Sequence, residues 1–349
     1  MKMLILGASY GSLLSTKMLM AGHDVTLICR DKTAALINAE GTEVRIKLRD
    51  EDEHRSIRSA DLPGSVNAVT PEDARPEDYD MIGLAMQEPQ YSAPAVRALM
   101  QRIAAAKKPC LSIMNMPPLP YLRRIPALAD AQLDTCFSEA SVWADFEPGL
   151  MSLCSPDPQA FRPPEEKANV LHVGLPTNFK ATEFADPADT ALLRQLEADI
   201  AGVTLDGKDV PVKLRVFESL FVPMAKWSML MTGNYRCILS AGEQSIRDAV
   251  LGDVDASKDV YAWVDALSRQ LGADPADQVP FEKYANAATN LLKPSSAARA
   301  IAAGVQQIER VDRLIQLVGR SLGVQSPVVD EIVATVDARL AENNAAVAA

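Results

Sequence analysis

Two halves of different texture predict an α/β domain of the doubly wound type followed by an all-α domain. In the first half, short apolar strands alternate with helical segments, which is the pattern of a parallel sheet covered by helices. After about Val212 almost every segment has helical periodicity. A chain of 349 residues is long enough to bury two cores. We therefore expect one domain over residues 1–212 and an all-helical domain over residues 213–349.

The chain opens on a strand, a turn of small residues and a helix. The apolar strand Met3–Leu6 precedes the turn, and a second strand, Val25–Cys29, ends at Arg30. This order is that of the first βαβ unit of a Rossmann-type domain, where phosphates bind at a helix N-terminus. The predicted cofactor contacts in the turn are Gly7, Ala8, Ser9, Tyr10, Gly11 and Ser12. Serines replace two glycines of the usual G-x-G-x-x-G motif, so a tight turn that binds nothing is the alternative.

The residue at the tip of the second strand distinguishes two cofactors in this fold. An acidic residue there accepts the ribose 2′-OH of NAD, whereas a cation pairs with the 2′-phosphate of NADP. Arg30 therefore favours NADP(H), with Lys32 as a second cation. The alternative is a solvated arginine whose charge is neutralised by Asp31.

Two further buried strands are predicted, Asp80–Met86 and Pro109–Met114. Ligands of doubly wound sheets lie past the carboxyl ends of the strands. Met86, Gln87 and Asn115 are therefore candidate cofactor contacts. Residues 49–58 are expected to form an exposed, charged connection, residues 135–173 a strand-rich extension, and residues 203–206 an edge strand.

Composition excludes several classes of function. A net charge of −11 disfavours an extended nucleic-acid or anionic-membrane surface, because phosphates would be repelled. Five scattered cysteines are typical of reduced thiols and give no zinc spacing, so no metal site is predicted. The first strand begins close to Met1 and no apolar run reaches membrane-spanning length. We expect a cytoplasmic protein with a small-molecule ligand.

In the helical half, Lys226 is the only cation of the otherwise apolar segment Val222–Asn234. Its ammonium is either desolvated for chemistry or extended along an apolar face to water. Asn234 follows about two turns later, near enough to the same face to line the same cleft. Its alternative role is to cap or interrupt the helix after Gly233.

Over most of its length the sequence resembles the ketopantoate reductases (2-dehydropantoate 2-reductases). The resemblance rests on the opening βαβ unit, Met114-Asn115, Lys226 with Asn234, residues 293–296 and residues 317–327. It implies NADPH-dependent reduction of a 2-oxo acid in a cleft between two domains. It also implies that Lys226 donates the proton and that Asn115 lies near nicotinamide and substrate. By the same resemblance Asn234 orients the substrate and Ser296 binds its carboxylate, although Ser296 also suits a helix N-cap.

The sequence departs from that family at three places. Gln87 stands where the family has a lysine, and Leu230 replaces the first of two asparagines. The family's substrate-binding acid falls at Gln307 or Ile308, with Glu309 close by. Because a substrate hydroxyl would lose these partners, we predict a carbonyl substrate other than ketopantoate.

Two other functions stay open on this scaffold. One is an imine or opine-type reductase, although opine dehydrogenases use a histidine of the helical domain and His23, His54 and His172 all precede it. The other is an NADP-binding sensor without turnover. The helical domain could support a homodimer, but no motif requires one.

Overall fold

The computed structural model describes residues 1–8 and 10–348, which divide into two compact units. The first consists of residues 1–86, 90–121 and 141–223, and the second of residues 87–89, 122–140 and 224–349. The first unit is α/β and the second helical, which confirms the predicted fold class. This division differs from the predicted ranges 1–212 and 213–349. Residues 213–223 belong to the first unit, and residues 87–89 and 122–140 belong to the second. That residues 1–212 and 213–349 are domains that fold independently stays a prediction.

Before residue 224 the chain alternates strands with helices. In chain order these elements are β1 (Lys2–Leu6), α1 (Tyr10–Met20), β2 (Asp24–Ile28), α2 (Asp31–Glu40), β3 (Glu43–Lys47), β4 (His54–Arg58), β5 (Val66–Val69), β6 (Met81–Leu84), α3 (Pro94–Ala106), β7 (Cys110–Ile113), α4 (Leu119–Leu122), β8 (Met151–Ser155), β9 (Gln159–Phe161), β10 (Val170–Leu175), β11 (Phe179–Thr182), α5 (Pro187–Ala201), β12 (Thr204–Leu205), β13 (Lys208–Asp209) and β14 (Leu214–Phe217).

An eight-stranded sheet forms the centre of the first unit, in the order β14-β11-β8-β7-β6-β1-β2-β5. The six strands from β5 to β8 are parallel and follow the 3-2-1-4-5-6 order of a Rossmann fold. Residues Met3–Leu6 of β1 are fully buried, as expected for a central strand with both faces covered. The order reverses between β1 and β6, so the ends of these two strands form the switch point where ligands of this fold bind.

A second, four-stranded sheet has the order β4-β3-β10-β9, and we call it the accessory sheet. The expectation that residues 49–58 form only a connection is wrong, because residues 54–58 pair as β4 with β3. Ile57 is the only buried residue of β4. A charged strand with one apolar anchor is suited to a sheet edge, where polar side chains reach water.

Two further strand predictions need correction. Helical structure does not begin directly after Val212, because β14 pairs in parallel with β11 at one end of the large sheet. The predicted edge strand at residues 203–206 is a two-residue strand, β12, which pairs only with β13. Asp206 and Gly207, both with positive φ, turn the chain there before a longer strand can form.

The second unit is helical. Its elements are α6 (Lys226–Met229), a π-helical turn (Leu230–Asn234), α7 (Ile246–Leu251), α8 (Val254–Gln270), α9 (Phe281–Ala288), α10 (Ser296–Ala302), α11 (Val311–Ser321) and α12 (Pro327–Ala348). Side chains of Ser245, Asp253 and Ser295 accept backbone N–H bonds and so fix three helix starts. No helix in the described part of the chain is long and apolar enough to cross a membrane.

Candidate active site

The turn after β1 depends on two glycines. Gly7 has φ +99°, and a Cβ there would lie 2.6 Å from the carbonyl oxygen of Ala85. A Cβ on Gly11 would lie 2.7 Å from Cγ2 of Ile5. Both glycines are therefore required by close contacts with protein atoms, before any ligand is considered. Ser12 Oγ donates to the Ala8 carbonyl at 2.5 Å, and Ser9 lies outside the described residues.

Two other predicted cofactor contacts follow strands next to β1. Met86, after β6, lies against the turn, since its Cγ would be 3.1 Å from a Cβ on Gly7. Asn115 follows β7, the next strand in the sheet. Its Oδ1 is buried, and no hydrogen-bond donor reaches it from residues 1–8 or 10–348. A buried acceptor without a donor is costly, so this oxygen fits the amide or hydroxyl of a ligand.

Arg30 and Lys32, predicted to bind a 2′-phosphate, are both exposed. Neither forms an ion pair with any described side chain, so Asp31 does not neutralise Arg30 by direct contact. A third cation was missed by sequence reasoning. Arg162, directly after β9, donates from Nη2 to the Ala8 carbonyl at 2.7 Å. These cations fit the phosphates of a dinucleotide, and the unpaired Oδ1 of Asn115 fits an amide N–H donor of the same ligand.

In the second unit, Lys226 begins α6 and Asn234 ends the π-helical turn that follows. In a regular α-helix, eight positions at about 100° each leave two side chains about 80° apart around the axis. One π turn takes up roughly one extra residue, which reduces the offset to about 20°. On ideal helix geometry the π turn therefore brings Lys226 and Asn234 closer to one face than a regular α-helix would, and the sequence does not reveal the π turn.

Tyr284 of α9 supports the π turn. Its hydroxyl donates to the Met229 carbonyl at 3.1 Å, and a Cβ on Gly233 would overlap the same hydroxyl oxygen. Gly233 is therefore the residue that lets the tyrosine reach the backbone. Within the described chain, Trp227 Nε1 and Thr232 Oγ1 are buried here without a hydrogen-bond partner. A buried donor or acceptor without a partner costs about 1–3 kcal/mol.

The serine pair before α10 is divided between two roles. Ser295, not Ser296, is the N-cap: its Oγ accepts from Ala298 N at 3.1 Å and donates to the Asn234 carbonyl at 2.7 Å. The alternative N-cap role for Ser296 is therefore wrong by one residue. Ser296 is exposed at the first helical position. Because Ser295 anchors the end of the π turn, Asn234 and Ser296 lie on neighbouring segments, which keeps Ser296 available to a ligand.

The structure distinguishes the three candidates for the family's acid. Gln307 is exposed, Ile308 is buried in the core, and Glu309 is half-buried. Glu309 Oε1 accepts from the backbone N–H of Glu88 at 3.3 Å, beside the exposed Gln87. Glu88 was missed by sequence reasoning: burial raises the pKa of its carboxyl, which accepts from the backbone and hydroxyl of Ser138. Glu88 thus fixes the segment that carries Gln87, and its backbone N–H contacts Glu309.

Leu230 is buried at the start of the π turn. A search of the described residues for three or more acidic, histidine or cysteine side chains placed to hold a metal ion finds none. The side chains named at the candidate site of the second unit thus include the cation Lys226, the carboxylate of Glu309, small polar groups and apolar side chains.

The fold defines a class: a Rossmann-type α/β unit combined with an all-helical unit. No protein-family model and no curated protein matches the chain. Solved structures do. A 2-dehydropantoate 2-reductase from Methylococcus capsulatus has a TM-score of 0.67 and 14% identity over 98% of each chain. A dimeric ketopantoate reductase from Staphylococcus aureus has a TM-score of 0.62 and 13% identity over 98% of this chain and 100% of its own.

A D-mandelate dehydrogenase solved with NADH is also similar, with a TM-score of 0.61 and 14% identity over 98% of this chain and 99% of its own. At such low identities the likeness establishes the fold. It confirms, at that level, the resemblance to ketopantoate reductases that the sequence predicts.

Proposed function

We propose that this protein is an NADPH-dependent reductase that transfers hydride to a 2-oxo acid or a related carbonyl, with Lys226 as the proton donor. The observation that carries the proposal is the π turn at Leu230–Asn234, because ideal helix geometry then predicts that Lys226 and Asn234 share one helix face. A π turn costs helix stability, and such turns occur frequently at functional sites. The fold shared with 2-oxo acid reductases supports the same reaction class.

Lys226 has the chemistry that carbonyl reduction needs. A bound nicotinamide would supply the hydride. As negative charge develops on the carbonyl oxygen, the Lys226 ammonium stabilises it and then gives up a proton. This interaction is stronger in the transition state than in the ground state, which is the condition for raising kcat. Asn234 would orient the substrate from the same face, and Ser296 would bind its carboxylate.

Residues of the first unit support the cofactor. Gly7, Ala8, Tyr10, Gly11, Ser12 and Met86 surround or form the turn, and the cations Arg30 and Lys32 favour NADPH over NADH. Asn115 would take a hydrogen bond from the nicotinamide amide through its unpaired Oδ1. One similar protein was solved with NADH, so binding of NADPH and NADH to this chain should be measured side by side.

The substrate we propose is more apolar than ketopantoate. Leu230 is buried where a relative would carry an amide, and Glu309 already accepts a backbone hydrogen bond. Gln87 carries no charge. A hydroxylated substrate would therefore find fewer partners.

The test is a panel of 2-oxo acids, ketones and imines with NADPH and NADH, followed by absorbance. Turnover of an oxo acid with NADPH, lost in Lys226→Ala, supports the proposal. Preferred turnover of imines would favour the imine or opine-type alternative, although the second unit contains no histidine. Tight NADPH binding with no turnover of any compound would favour the sensor.

The proposal extends to assembly and location. One similar structure is named as a dimeric reductase, and we propose a homodimer for this chain, to be measured by light scattering. A cytoplasmic location stays a prediction from the sequence, to be checked by fractionating cells.

A further inference from the structure

The cation that sequence reasoning missed lies at the nucleotide turn but comes from the accessory sheet. Arg162 follows β9 and donates to the carbonyl of Ala8, the residue after Gly7. The two residues are 154 positions apart in the chain, so only the fold brings them together. No local motif around Arg162 indicates this contact.

The backbone on both sides of Arg162 is restrained. Phe161 pairs with His172 in the β9–β10 ladder, and Pro163 and Pro164 follow Arg162 directly. A residue before proline is restricted to extended conformations, and proline fixes its own φ. Arg162 is therefore held in place before any ligand binds, which lowers the entropy cost of using it.

The guanidinium lies close to the ends of two neighbouring strands. One is β1, through the contact with Ala8; the other is β2, whose next residue is Cys29. Burial raises the pKa of the Cys29 thiol to about 11, and the positive charge of Arg162 opposes that rise. Strands β1 and β2 are paired from Lys2↔Asp24 to Leu6↔Ile28, so their ends are adjacent. In this fold the adenosine ribose binds at the end of the second strand.

The charge of Arg162 is not compensated by a carboxylate. Among residues 1–8 and 10–348 no acidic side chain lies within 4.0 Å of its nitrogens, although the chain has 46 acidic residues and a net charge of −11. The side chain is exposed, and a guanidinium has five N–H donors. Its bond to Ala8 uses one of them and leaves others for an anion.

We propose that Arg162 is a second contact to the 2′-phosphate of NADPH and acts with Arg30 to select the phosphorylated cofactor. The inference depends on the proposed function, because it requires a dinucleotide at this turn. Arg30 reaches the phosphate from the end of β2, and Arg162 reaches it from the side of the turn. Two arginines bind a phosphate with charge-assisted, directional hydrogen bonds that a single exposed cation cannot match.

The test is calorimetric titration of the full chain and its variants with NADPH, NADH, adenosine 2′,5′-bisphosphate and 5′-AMP. The Arg162→Ala variant should bind NADPH and the bisphosphate roughly 10- to 100-fold more weakly, with NADH and 5′-AMP changed by less than about twofold. Arg162→Lys keeps the charge and should retain part of the preference. Arg58→Ala, on β4 of the same sheet, removes the same charge away from the turn and is the matched control.

Three other outcomes would overturn either the inference or the proposed function. Unchanged NADPH affinity in both Arg162 variants overturns the inference while leaving the proposed function intact. Equal losses for NADPH and NADH also overturn it, because they would assign Arg162 to the shape of the turn. If the unaltered protein binds neither dinucleotide, the proposed function itself fails.

Discussion

Two lysines lie on apolar helical segments of this chain, and their surroundings are different. Lys17, on α1, is 1% exposed, and its Nζ donates to the carbonyls of Val210 at 2.9 Å and Pro211 at 3.2 Å. Lys226, at the start of α6, is half-buried. A lysine closed off from solvent and bonded to backbone carbonyls serves structure. A lysine still partly open to solvent can serve a ligand.

The contacts of Lys17 explain why a charge is buried there. The next residue after Pro211, Val212, has φ +67°, a strained conformation for a β-branched side chain. Hydrogen bonds from Lys17 hold the two residues before it. The two lysines thus differ: Lys17 holds the residues before a strained position, whereas Lys226 is the proton donor that we propose.

The sharpest test of this comparison, with the largest expected effect, is Lys226→Ala. We expect kcat with the best substrate to fall roughly 10²- to 10⁴-fold, the range for loss of a positioned proton donor, with NADPH affinity and Tm little changed. Lys283→Ala, on the exposed face of α9, is the control. Retained activity together with a lower Tm would show that Lys226 is structural after all.

Substrate choice should also depend on the second unit. We expect ketopantoate to be at least about 10²-fold poorer in kcat/KM than the best oxo compound, because a buried hydroxyl without partners costs several kcal/mol. Steady-state kinetics with NADPH measure this ratio. Efficient reduction of ketopantoate would mean that Glu309 or a neighbour supplies the missing contacts.

The first unit was the more predictable from sequence. The turn after β1 can be recognised from neighbouring residues alone. Gly7 and Gly11 directly follow an apolar strand, and their spacing indicates close packing of that strand against the helix. The strand β4 was missed because its one buried residue, Ile57, gives almost no hydrophobic pattern. Arg162 was missed because its contact with Ala8 joins residues far apart in sequence.

In the second unit the residue types were predictable and the geometry was not. Lys226 is conspicuous in an apolar segment, but the π turn that follows it packs Gly233 against Tyr284 of α9, which is far away in the sequence. The alternative N-cap role considered for Ser296 belongs to Ser295, since the two serines are equivalent by local pattern. The two bonds of Ser295 Oγ, one accepted from Ala298 N and one donated to the Asn234 carbonyl, distinguish them.

In the first unit, Arg30→Ala should weaken NADPH binding by about 1.5–3 kcal/mol, because a charge-assisted bond to the 2′-phosphate is lost. NADH affinity should hardly change. Fluorescence titration of both cofactors measures the two constants in parallel, with Arg58→Ala as a charge-matched control. Equal losses for both cofactors would remove Arg30 from the 2′-phosphate site.

A smaller effect is expected from Gly233→Ala. The added methyl group overlaps the Tyr284 hydroxyl, and overpacking of this kind costs about 1–3 kcal/mol of stability. In a Tyr284→Phe background the hydroxyl is absent, so the same substitution should cost less. Gly202→Ala, with only an ordinary contact at 3.9 Å, is the control. Additive losses in urea unfolding would argue against this steric account of the π turn.

The smallest effect, taken per pH unit, concerns Lys17 and the pH dependence of stability. Burial, reinforced by the charge of Lys213 and opposed by Asp209, lowers the pKa of Lys17 from 10.5 to about 7. Between these two values the unfolded chain binds a proton that the folded chain does not, so Lys17 makes stability rise with pH. Below about pH 7 the lysine is protonated in both states and its burial penalty is fully present.

Comparison of the unaltered protein with Lys17→Met isolates this contribution. As pH rises from 7 to 9, we expect the free energy of unfolding of the unaltered protein to increase relative to the variant by up to about 1.4 kcal/mol per pH unit. Urea unfolding at pH 7, 8 and 9 gives the two curves, and Lys283→Met controls for the loss of a lysine. Parallel curves would mean that Lys17 keeps its proton when buried, so that its two carbonyl bonds offset the cost of burying the charge.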